Sequence, residues 1–429
     1  MLSTNCPDAG TAWPRVILHA DLNGFYAGVE CLYRPELRQK PVAVSGDAEN
    51  RHGIILAKNE IAKRFSIKTG EAIWQARQKC PGLVVLTADY AKYLRYARLT
   101  RQILADFSDQ VEPFGLDEAW IDVSGSIRLL GDGVALADRV RQRTREELGL
   151  TCSVGVSYNK IFAKLGSDLK KPDATVAIPP DRFQAIVWPL PVQDLLYVGP
   201  STMRRLQRIG IRTIGGLAAL RLEDARYLLG KWGETLWLFA RGLDDSPVHT
   251  SDAREMVKSV GNSTTTPRDL ASGDDVRVIL MVLSESVAAR LREYGLRCQT
   301  VQISIRDNQL ATIERQQKMS RATDLARDIV RQAWQLFERH WAWARPIRSL
   351  GVRGCDLVTA DRLEQLALFE DPGAYDRQKE LEKTIDEIRR RFGYFSIQRG
   401  LMLSDRQLSG FNPKEEHVIH PVSFPGLSG

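Results

Sequence analysis

Two acidic residues stand side by side at the mouth of an apolar run, Val111-Glu-Pro-Phe-Gly-Leu-Asp117-Glu118-Ala-Trp-Ile-Asp-Val123. Gly115 marks a bend, and Ala119 to Val123 has the length and composition of a short buried strand. Two carboxylates on the lip of a core repel each other and lose hydration, so they call for positive charge nearby. A divalent cation held by oxygen ligands is the economical candidate. By themselves the residues fit a solvated acidic turn equally well. A third carboxylate closes another apolar run, Arg15-Val-Ile-Leu-His-Ala-Asp21-Leu22, which reads as a buried strand and is followed by Asn23-Gly24.

The elements around these carboxylates must bring them together. A short amphipathic helix is predicted from Phe25 to Leu32, strands over 41–46 and 54–57, and a basic helix from Lys58 to Phe65. Tyr90, Tyr93, Leu94, Ala97, Ile103, Leu104 and Phe107 recur at helical spacing, which predicts a long helix within 87–107 whose aromatic residues are core. A helix over 135–148 and a strand over 151–157 follow. This order predicts an antiparallel sheet backed by two helices on one face, able to set the end of its first strand beside the Asp117 bend.

Beyond Pro179, Pro180, Pro189 and Pro191 a helical region opens at Leu195-Leu-Tyr-Val-Gly199-Pro-Ser201-Thr-Met-Arg204-Arg205. With Gly199 at the turn and Ser201 as N-cap, a helix starts with free amides outward and Arg204, Arg205 and Arg208 on its face. That is a phosphate seat of the helix-hairpin-helix kind, which grips a nucleic-acid backbone without reading sequence. An ordinary capped helix with solvated arginines is the plainer alternative. After a linker at 244–252, helices over 276–294 and 323–339 and strands over 297–306 and 347–355 form a second α/β unit. Arg297, Arg306, Arg315, Lys318, Arg348 and Arg353 lie on or beside the exposed strand ends, where one sheet face can meet phosphates. Trp334, Trp341 and Trp343 are packing residues.

Charge agrees with that placement: between Arg254 and Asp356, 17 Lys and Arg face 12 Asp and Glu, which puts five of the chain's seven net positive charges in this segment. Gln365-Leu366-Ala-Leu368-Phe369 is a short apolar peptide among acidic residues, suited to docking in another protein's groove. A charged helix over 376–392 follows, and the last two dozen residues, rich in Ser, Pro and Gly, are expected to be disordered.

At 429 residues the chain has room for roughly two to four domains. No apolar run approaches the ~20 residues of a membrane span, and the N-terminus lacks the basic and apolar regions of a signal peptide, so a cytoplasmic protein without membrane contact is expected. Cysteines 6, 31, 80, 152, 298 and 355 are scattered without Cys-x-x-Cys, which argues against a disulfide framework or a zinc site.

Several of these stretches, in this order, resemble the Y-family, or translesion, DNA polymerases of the bacterial DNA polymerase IV and UmuC-like kind. The resemblance runs from about residue 15 to residue 400. It rests on His19-Ala-Asp21-Leu22-Asn23-Gly-Phe25-Tyr26-Ala-Gly-Val-Glu30, Gly115-Leu-Asp117-Glu118-Ala-Trp-Ile-Asp-Val, Ser153-Val-Gly-Val-Ser-Tyr-Asn159-Lys160-Ile-Phe-Ala-Lys164, Lys171-Pro172, and Lys258-Ser-Val-Gly-Asn-Ser-Thr-Thr-Thr-Pro267. It implies an α+β multidomain, right-hand polymerase. The palm is ferredoxin-like (1–23 and 86–180), the fingers small (24–85), and the thumb a helix-hairpin-helix (181–246). An α/β little finger (253–360) and a tail with clamp-binding peptide and helix (361–429) complete it.

The resemblance also implies roles. Asp21 and Asp117 match bridging ligands of two Mg²⁺ ions, for which Mn²⁺ can substitute, Glu118 a ligand near the primer hydroxyl, and the Leu22 carbonyl a further ligand. Tyr26 matches the steric gate that rejects a ribose 2′-hydroxyl, with Phe25 beside it. Lys171, Lys63 and Lys58 are expected to meet the triphosphate. The sequence departs from the commonest pattern where Glu60 and Lys63 replace a tyrosine and an arginine, and where Asn23 makes the first motif Asp-Leu-Asn rather than Asp-x-Asp. Gln365, Leu366, Leu368 and Phe369 resemble a β-sliding-clamp peptide. Expected partners are primer-template DNA, deoxynucleoside triphosphates and the bacterial β sliding clamp, the enzyme itself being a monomer without proofreading. Two readings from other classes remain: a catalytically idle DNA-binding scaffold, and a nucleotidyl cyclase, whose chemistry also pairs carboxylates on a similar sheet.

Overall fold

The computed structural model describes residues 13, 15–46, 53–250, 257–361 and 372–414, in two compact units split between 254 and 255. The clamp-like peptide, Gln365 to Phe369, and residues 415–429 lie outside the described residues.

In the first unit β1 (Ile17–Leu22) leads through a tight turn into α1 (Phe25–Tyr33). A small lobe follows: β2 (Val42–Ser45), β3 (Ile55–Lys58), α2 (Glu60–Lys63), α3 (Ile73–Lys79) and β4 (Val84–Thr87), with sheet order β3-β2-β4. Its core is small, centred on Ala43, Ile55, Ala62, Ile67 and Leu83. The helix expected from Lys58 to Phe65 is one turn only. Asn59 caps it by accepting from the Ala62 N–H at 2.9 Å, and Lys58 remains the last residue of β3.

The chain returns with α4 (Tyr90–Ala105), β5 (Val111–Pro113), β6 (Glu118–Asp122), α5 (Ile127–Leu130), α6 (Gly133–Leu148), β7 (Cys152–Ser157), α7 (Lys160–Leu169) and β8 (Thr175–Ile178). These strands and β1 form one sheet of order β5-β6-β1-β7-β8, antiparallel except for the parallel pair of β7 and β8. The wholly antiparallel sheet expected from sequence is corrected at that edge, because α7 is a crossover helix and a crossover returns the chain parallel.

Alternation along β1 divides the two faces. Leu18, Ala20 and Leu22 enter the large core shared with Tyr93, Ala97 and Leu104 of α4 and Leu136, Ala137 and Val140 of α6. These are the two helices expected on one face, and each fully buried aliphatic side chain among them contributes roughly 1.5–3 kcal/mol. Ile17 instead packs with Trp120 of β6 and Ala163 of α7, so α7 covers part of the opposite face. Its contact with β7 is backbone to backbone: a Cβ on Gly155 would lie 1.9 Å from the Ala163 carbonyl oxygen.

The rest of this unit is helical: α8 (Phe183–Val187), α9 (Pro200–Arg208), α10 (Ile214–Ala218), α11 (Leu222–Leu229) and α12 (Lys231–Ala240). Leu195, Leu206, Ile211, Ile214 and Leu217 share a core with Phe162 and Ile178.

The second unit contains β9 (Ser259–Leu270), α13 (Gly273–Glu293), β10 (Leu296–Asp307), β11 (Thr312–Thr323), α14 (Ala326–His340), β12 (Ile347–Thr359), α15 (Pro372–Phe392) and α16 (Arg406–Ser409). The four strands form an antiparallel sheet of order β11-β10-β12-β9. Val260, Val301, Ile303, Ile305, Leu350 and Val352 pack against α13 and α14. Two strands were expected and four are present among the described residues. β9 and β11 are rich in Thr, Ser, Gln and Arg and carry few large apolar residues, so their alternation is faint. No helix among the described residues is long and apolar enough to cross a membrane.

Candidate active site

Asp21 and Glu118 are direct cross-strand partners on β1 and β6. Directly opposed residues on antiparallel strands have Cβ atoms roughly 4.5–5.5 Å apart, so the two carboxylates leave one face of the sheet together. Asp117 precedes β6 in the bend that Gly115 opens at φ +93°, and its carbonyl accepts the Leu22 N–H at 3.0 Å. Acidic side chains from two stretches about a hundred residues apart thus lie at one rim of the sheet, an approach that the order of elements allowed. Leu22 closes the strand one residue past Asp21.

α7 supplies the countercharge. Asn159 caps it by accepting from the Phe162 N–H at 2.8 Å, and four residues past its first residue Lys164 reaches back to the rim. Its Nζ lies 2.6 Å from Glu118 Oε2, 3.2 Å from Asp21 Oδ2 and 3.1 Å from Asp168. Lys171 stands 2.7 Å from Asp21 Oδ2 and 2.8 Å from Asp168. Burial works against charge on Lys164, but Glu118, Asp21 and Asp168 outweigh it and push its pKa up. Burial likewise raises Glu118, yet His19 Nε2 at 3.2 Å and the charge of Lys164 outweigh it and hold the carboxyl at about 2. Asp117 receives less relief, from a backbone hydrogen bond and the charge of Lys164, which are the smallest of the influences on it. Burial first, then the charges of Asp21 and Glu118, push it up to about 7.

Lys164, Asp168 and His19 were not singled out from the sequence. The legible signal was the Asn159 cap followed by Lys160, Lys164, Asp168 and Lys171 at helical spacing. Asn23 also acquires a role: its amide donates to Ser153 Oγ at 3.1 Å while its Oδ1 accepts the Asp173 N–H at 2.8 Å. It ties the loop that carries Lys171 to the end of β1. A carboxylate in its place has no proton to donate to Ser153.

Among the described residues no three His, Cys, Asp or Glu side chains already stand at ligating distances, and Asp21 and Glu118 are instead paired with Lys164 and Lys171. The donor set nevertheless fits a hard divalent cation. Its side-chain donors are all carboxylate oxygens, and the upward push on Asp117 from burial, Asp21 and Glu118 is one that a bound cation would relieve.

Tyr26 lies beside this rim and is locked in an aromatic stack. Its ring is 4.2 Å from that of Tyr93 at an interplanar angle of 8°, and it meets Tyr90 edge-on at 6.0 Å. Phe25, fully buried, packs against both Tyr26 and Tyr93. Tyr93 in turn donates to Glu30 at 3.1 Å. On the other side, Gly24 turns at φ +53° so close to β3 that a Cβ would meet the Lys58 carbonyl at 2.9 Å. Lys58 is half-buried and donates to Thr69, and burial followed by the nearby Lys63 lowers its pKa. Lys63 is exposed, 3.6 Å from Glu60.

The expected DNA contacts are distributed over both units. At α9 the N-cap is Gly199 with Pro200 at the first helical position, so the Ser201 cap is corrected: proline, lacking an N–H, is suited to that first position. Ser201, Arg204, Arg205 and Arg208 are exposed. In the second unit Arg306 and Arg353 are exposed on β10 and β12, Arg348 is half-buried, and Arg297 donates to the Ala360 carbonyl at 2.5 Å. Arg315 is opposite Ile303 and so lies on the helix-bearing side of the edge strand, not the outer face.

Residues 20–168 match the impB/mucB/samB family and residues 257–368 match that family's C-terminal domain. A protein of Acetivibrio thermocellus named DNA polymerase IV is 51% identical over 395 residues, 92% of this chain and 99% of that protein. One of Pelotomaculum thermopropionicum with the same name is 37% identical over 388 residues, 90% of this chain and 95% of that protein. A solved structure of a chimeric Y-family DNA polymerase shares the fold, with a TM-score of 0.71 at 21% identity, covering 80% of this chain and 99% of that chain. With its three carboxylates gathered on one sheet and relatives matched over nearly their whole length, the chain belongs to the Y-family DNA polymerases of the DNA polymerase IV kind and is a DNA-directed DNA polymerase.

Proposed function

We propose that this enzyme is a template-directed, error-prone translesion polymerase that adds deoxynucleotides to a primer 3′ end in DNA damage tolerance. The observation that carries the reading is the juxtaposition of Asp21, Glu118 and Asp117 on one rim with Lys164 and Lys171 against them. Asp21, Asp117, Glu118 and the Leu22 carbonyl would hold two Mg²⁺ or Mn²⁺ ions. Such ions activate the primer hydroxyl and neutralise charge on the triphosphate. The chain's own residues do the rest. Lys171 and Lys164, already charged, shift from carboxylates to phosphate oxygens, with Lys58 and Lys63 approaching from the small lobe. Tyr26, stacked on Tyr93, presents a fixed ring beneath the sugar.

Gly199, Ser201, Arg204 and Arg205 are assigned to the backbone of the duplex, as are Arg297, Arg306, Arg348 and Arg353, and Gln365 to Phe369 to a β sliding clamp. A small lobe of three short strands and two short helices has little surface to press on a nascent base pair. That favours tolerance of damaged templates and error-prone synthesis. The cyclase reading leaves these phosphate contacts and the second unit without a task.

Primer extension by Asp117→Ala and Glu118→Ala, with duplex binding measured alongside, tests the assignment. Extension should fall by at least a thousandfold while duplex affinity stays within about twofold; full extension by both variants refutes it. Adding a clamp tests the peptide: Leu368→Ala with Phe369→Ala should lose clamp stimulation and keep basal synthesis, and undiminished stimulation removes that assignment.

A further inference from the structure

His19 lies on β1 two residues before Asp21 and has no exposed surface. It is opposite Trp120 in the β1–β6 register, so it and Glu118 are diagonal neighbours on the face that α7 partly covers. Trp120 meets the imidazole edge-on at a centroid distance of 5.2 Å. The ring's two nitrogens reach opposite partners. Nδ1 is 2.9 Å from Ser167 Oγ on α7, and Nε2 is 3.2 Å from Glu118 Oε2.

Counting protons fixes the direction of this chain. Ser167 Oγ also lies 2.7 Å from the Lys164 carbonyl, and it has one proton for two neighbours. If that proton goes to the carbonyl and the neutral ring carries its own on Nδ1, Nε2 faces a carboxylate lone pair to lone pair. With Glu118 ionised, the arrangements free of that repulsion put a proton on Nε2, 3.2 Å from Glu118 Oε2. Lys164 Nζ approaches the same oxygen at 2.6 Å, so both neighbours make their nearest approach to Glu118 at Oε2. Nε2 and Oε2 are both buried and stand 3.2 Å apart without a well-aligned hydrogen bond.

We propose that His19, braced by Ser167, is a positioning residue that holds Glu118 through Oε2 and thereby turns Oε1 outward to a divalent cation. The inference rests on the polymerase reading above. Once a triphosphate recruits Lys164, Nε2–H is the donor that stays with Oε2, and the carboxylate keeps its orientation. Partners of this kind behind a ligand fix its orientation and commonly carry a large share of metal affinity.

The test uses the whole chain on primer-template DNA. Mn²⁺ binding is read from loss of the free ion's electron paramagnetic resonance signal, beside the Mn²⁺ concentration for half-maximal extension. His19→Phe keeps the ring plane without a donor, and His19→Gln returns an N–H near the Nε2 position. His19→Phe should weaken Mn²⁺ binding by roughly 10- to 100-fold and raise the half-maximal concentration in step, with KM for the deoxynucleotide at saturating metal unchanged. His19→Gln should recover most of the loss, and Ser167→Ala should fall between.

Parental Mn²⁺ affinity in both His19→Phe and Ser167→Ala overturns the proposal. If His19→Phe does not fold, His19→Gln against His19→Asn decides, since the shorter amide does not reach Glu118; equal affinities again overturn it. Asp117→Ala run in parallel separates the two levels. Full extension by Asp117→Ala sinks the assignment of this rim as the catalytic metal site, whereas its inactivity beside normal Mn²⁺ binding in His19→Phe sinks only the positioning role.

Discussion

Asp117 is the least compensated of the three carboxylates, and the imbalance has a consequence for stability. Its carboxyl titrates near 3.9 in an unfolded chain but is pushed up to about 7 here by burial and by Asp21 and Glu118. Between those values the folded protein binds the extra proton, so stability falls as pH rises across that window, and above about 7 a constant penalty remains. Asp117→Asn removes the penalty. In chelator at pH 8 the variant should unfold at a higher temperature than the parent, by the equivalent of about 1–3 kcal/mol, and the gap should narrow as pH falls toward 5. An unchanged or lower melting temperature at pH 8 would count against this picture of a rim strained for function. Tyr26 makes a different residue-scale prediction. Because Tyr93 stacks on it at 4.2 Å, the ring has a fixed edge. Tyr26→Ala should admit ribonucleotides at least tenfold better relative to deoxynucleotides. Tyr93→Leu should relax selectivity by a smaller factor; unchanged discrimination in Tyr26→Ala places the gate elsewhere.

At the scale of elements, the site depends on α7 lying against β7. Gly155 faces the Ala163 carbonyl and the Gly166 backbone with no room for a methyl group. Gly155→Ala forces α7 outward, carrying Lys164 and Ser167 away from Glu118 and His19. A loss of about 3 kcal/mol or more is expected, together with a loss of extension that excess metal does not restore, measured by denaturant unfolding and primer extension. Near-parental values for both would mean that α7 has slack the packing does not show.

The same element marks how far the sequence could be read. The acid-bearing ends of β1 and β6 were legible because one apolar run stops at Asp21 and another begins directly after Asp117 and Glu118. The Asp21–Glu118 register is a pairing across nearly a hundred residues, and no local pattern encodes it. α7 was legible as a motif yet not as a second layer, since its packing rests on glycines, which carry no hydropathy signal. β9 and β11 were missed for a related reason: their outward residues are Ser, Thr, Gln and Arg, and their inward ones are too few and too small to stand out.

At the scale of the whole molecule, the sequence read as a charged helix in a tail is in fact built into the second unit. α15 docks by ions rather than by a hydrophobic stripe. Glu285 of α13, 3% exposed, is held by Arg389 at 2.8 Å and Arg399 at 2.5 Å, and Arg399 also holds Glu382, 2% exposed. Arg292 of α13 answers with Asp386 at 2.7 Å and Glu382 at 3.3 Å. Past α15, Leu408 enters the core of this unit, Asp405 pairs with Arg268, and the Asn262 amide donates to the Pro413 carbonyl. A buried ion pair adds little net stability over apolar packing, but removing one side leaves an uncompensated buried charge that costs about 3–5 kcal/mol. Ending the chain at residue 371 strips Glu285 of both arginines and Arg292 of both acids at once. Against a typical domain stability of about 5–15 kcal/mol, that is enough to loosen β9 to β12. Hydrogen exchange on the truncated chain should therefore show lost protection throughout the β11-β10-β12-β9 sheet while amides of β1, β6 and β7 keep theirs. Glu285→Gln in the full chain should give a milder version of the same map, because the amide keeps one acceptor for the arginines. Native protection of the four-stranded sheet in the truncated chain would return residues 372–414 to the status of an appendage.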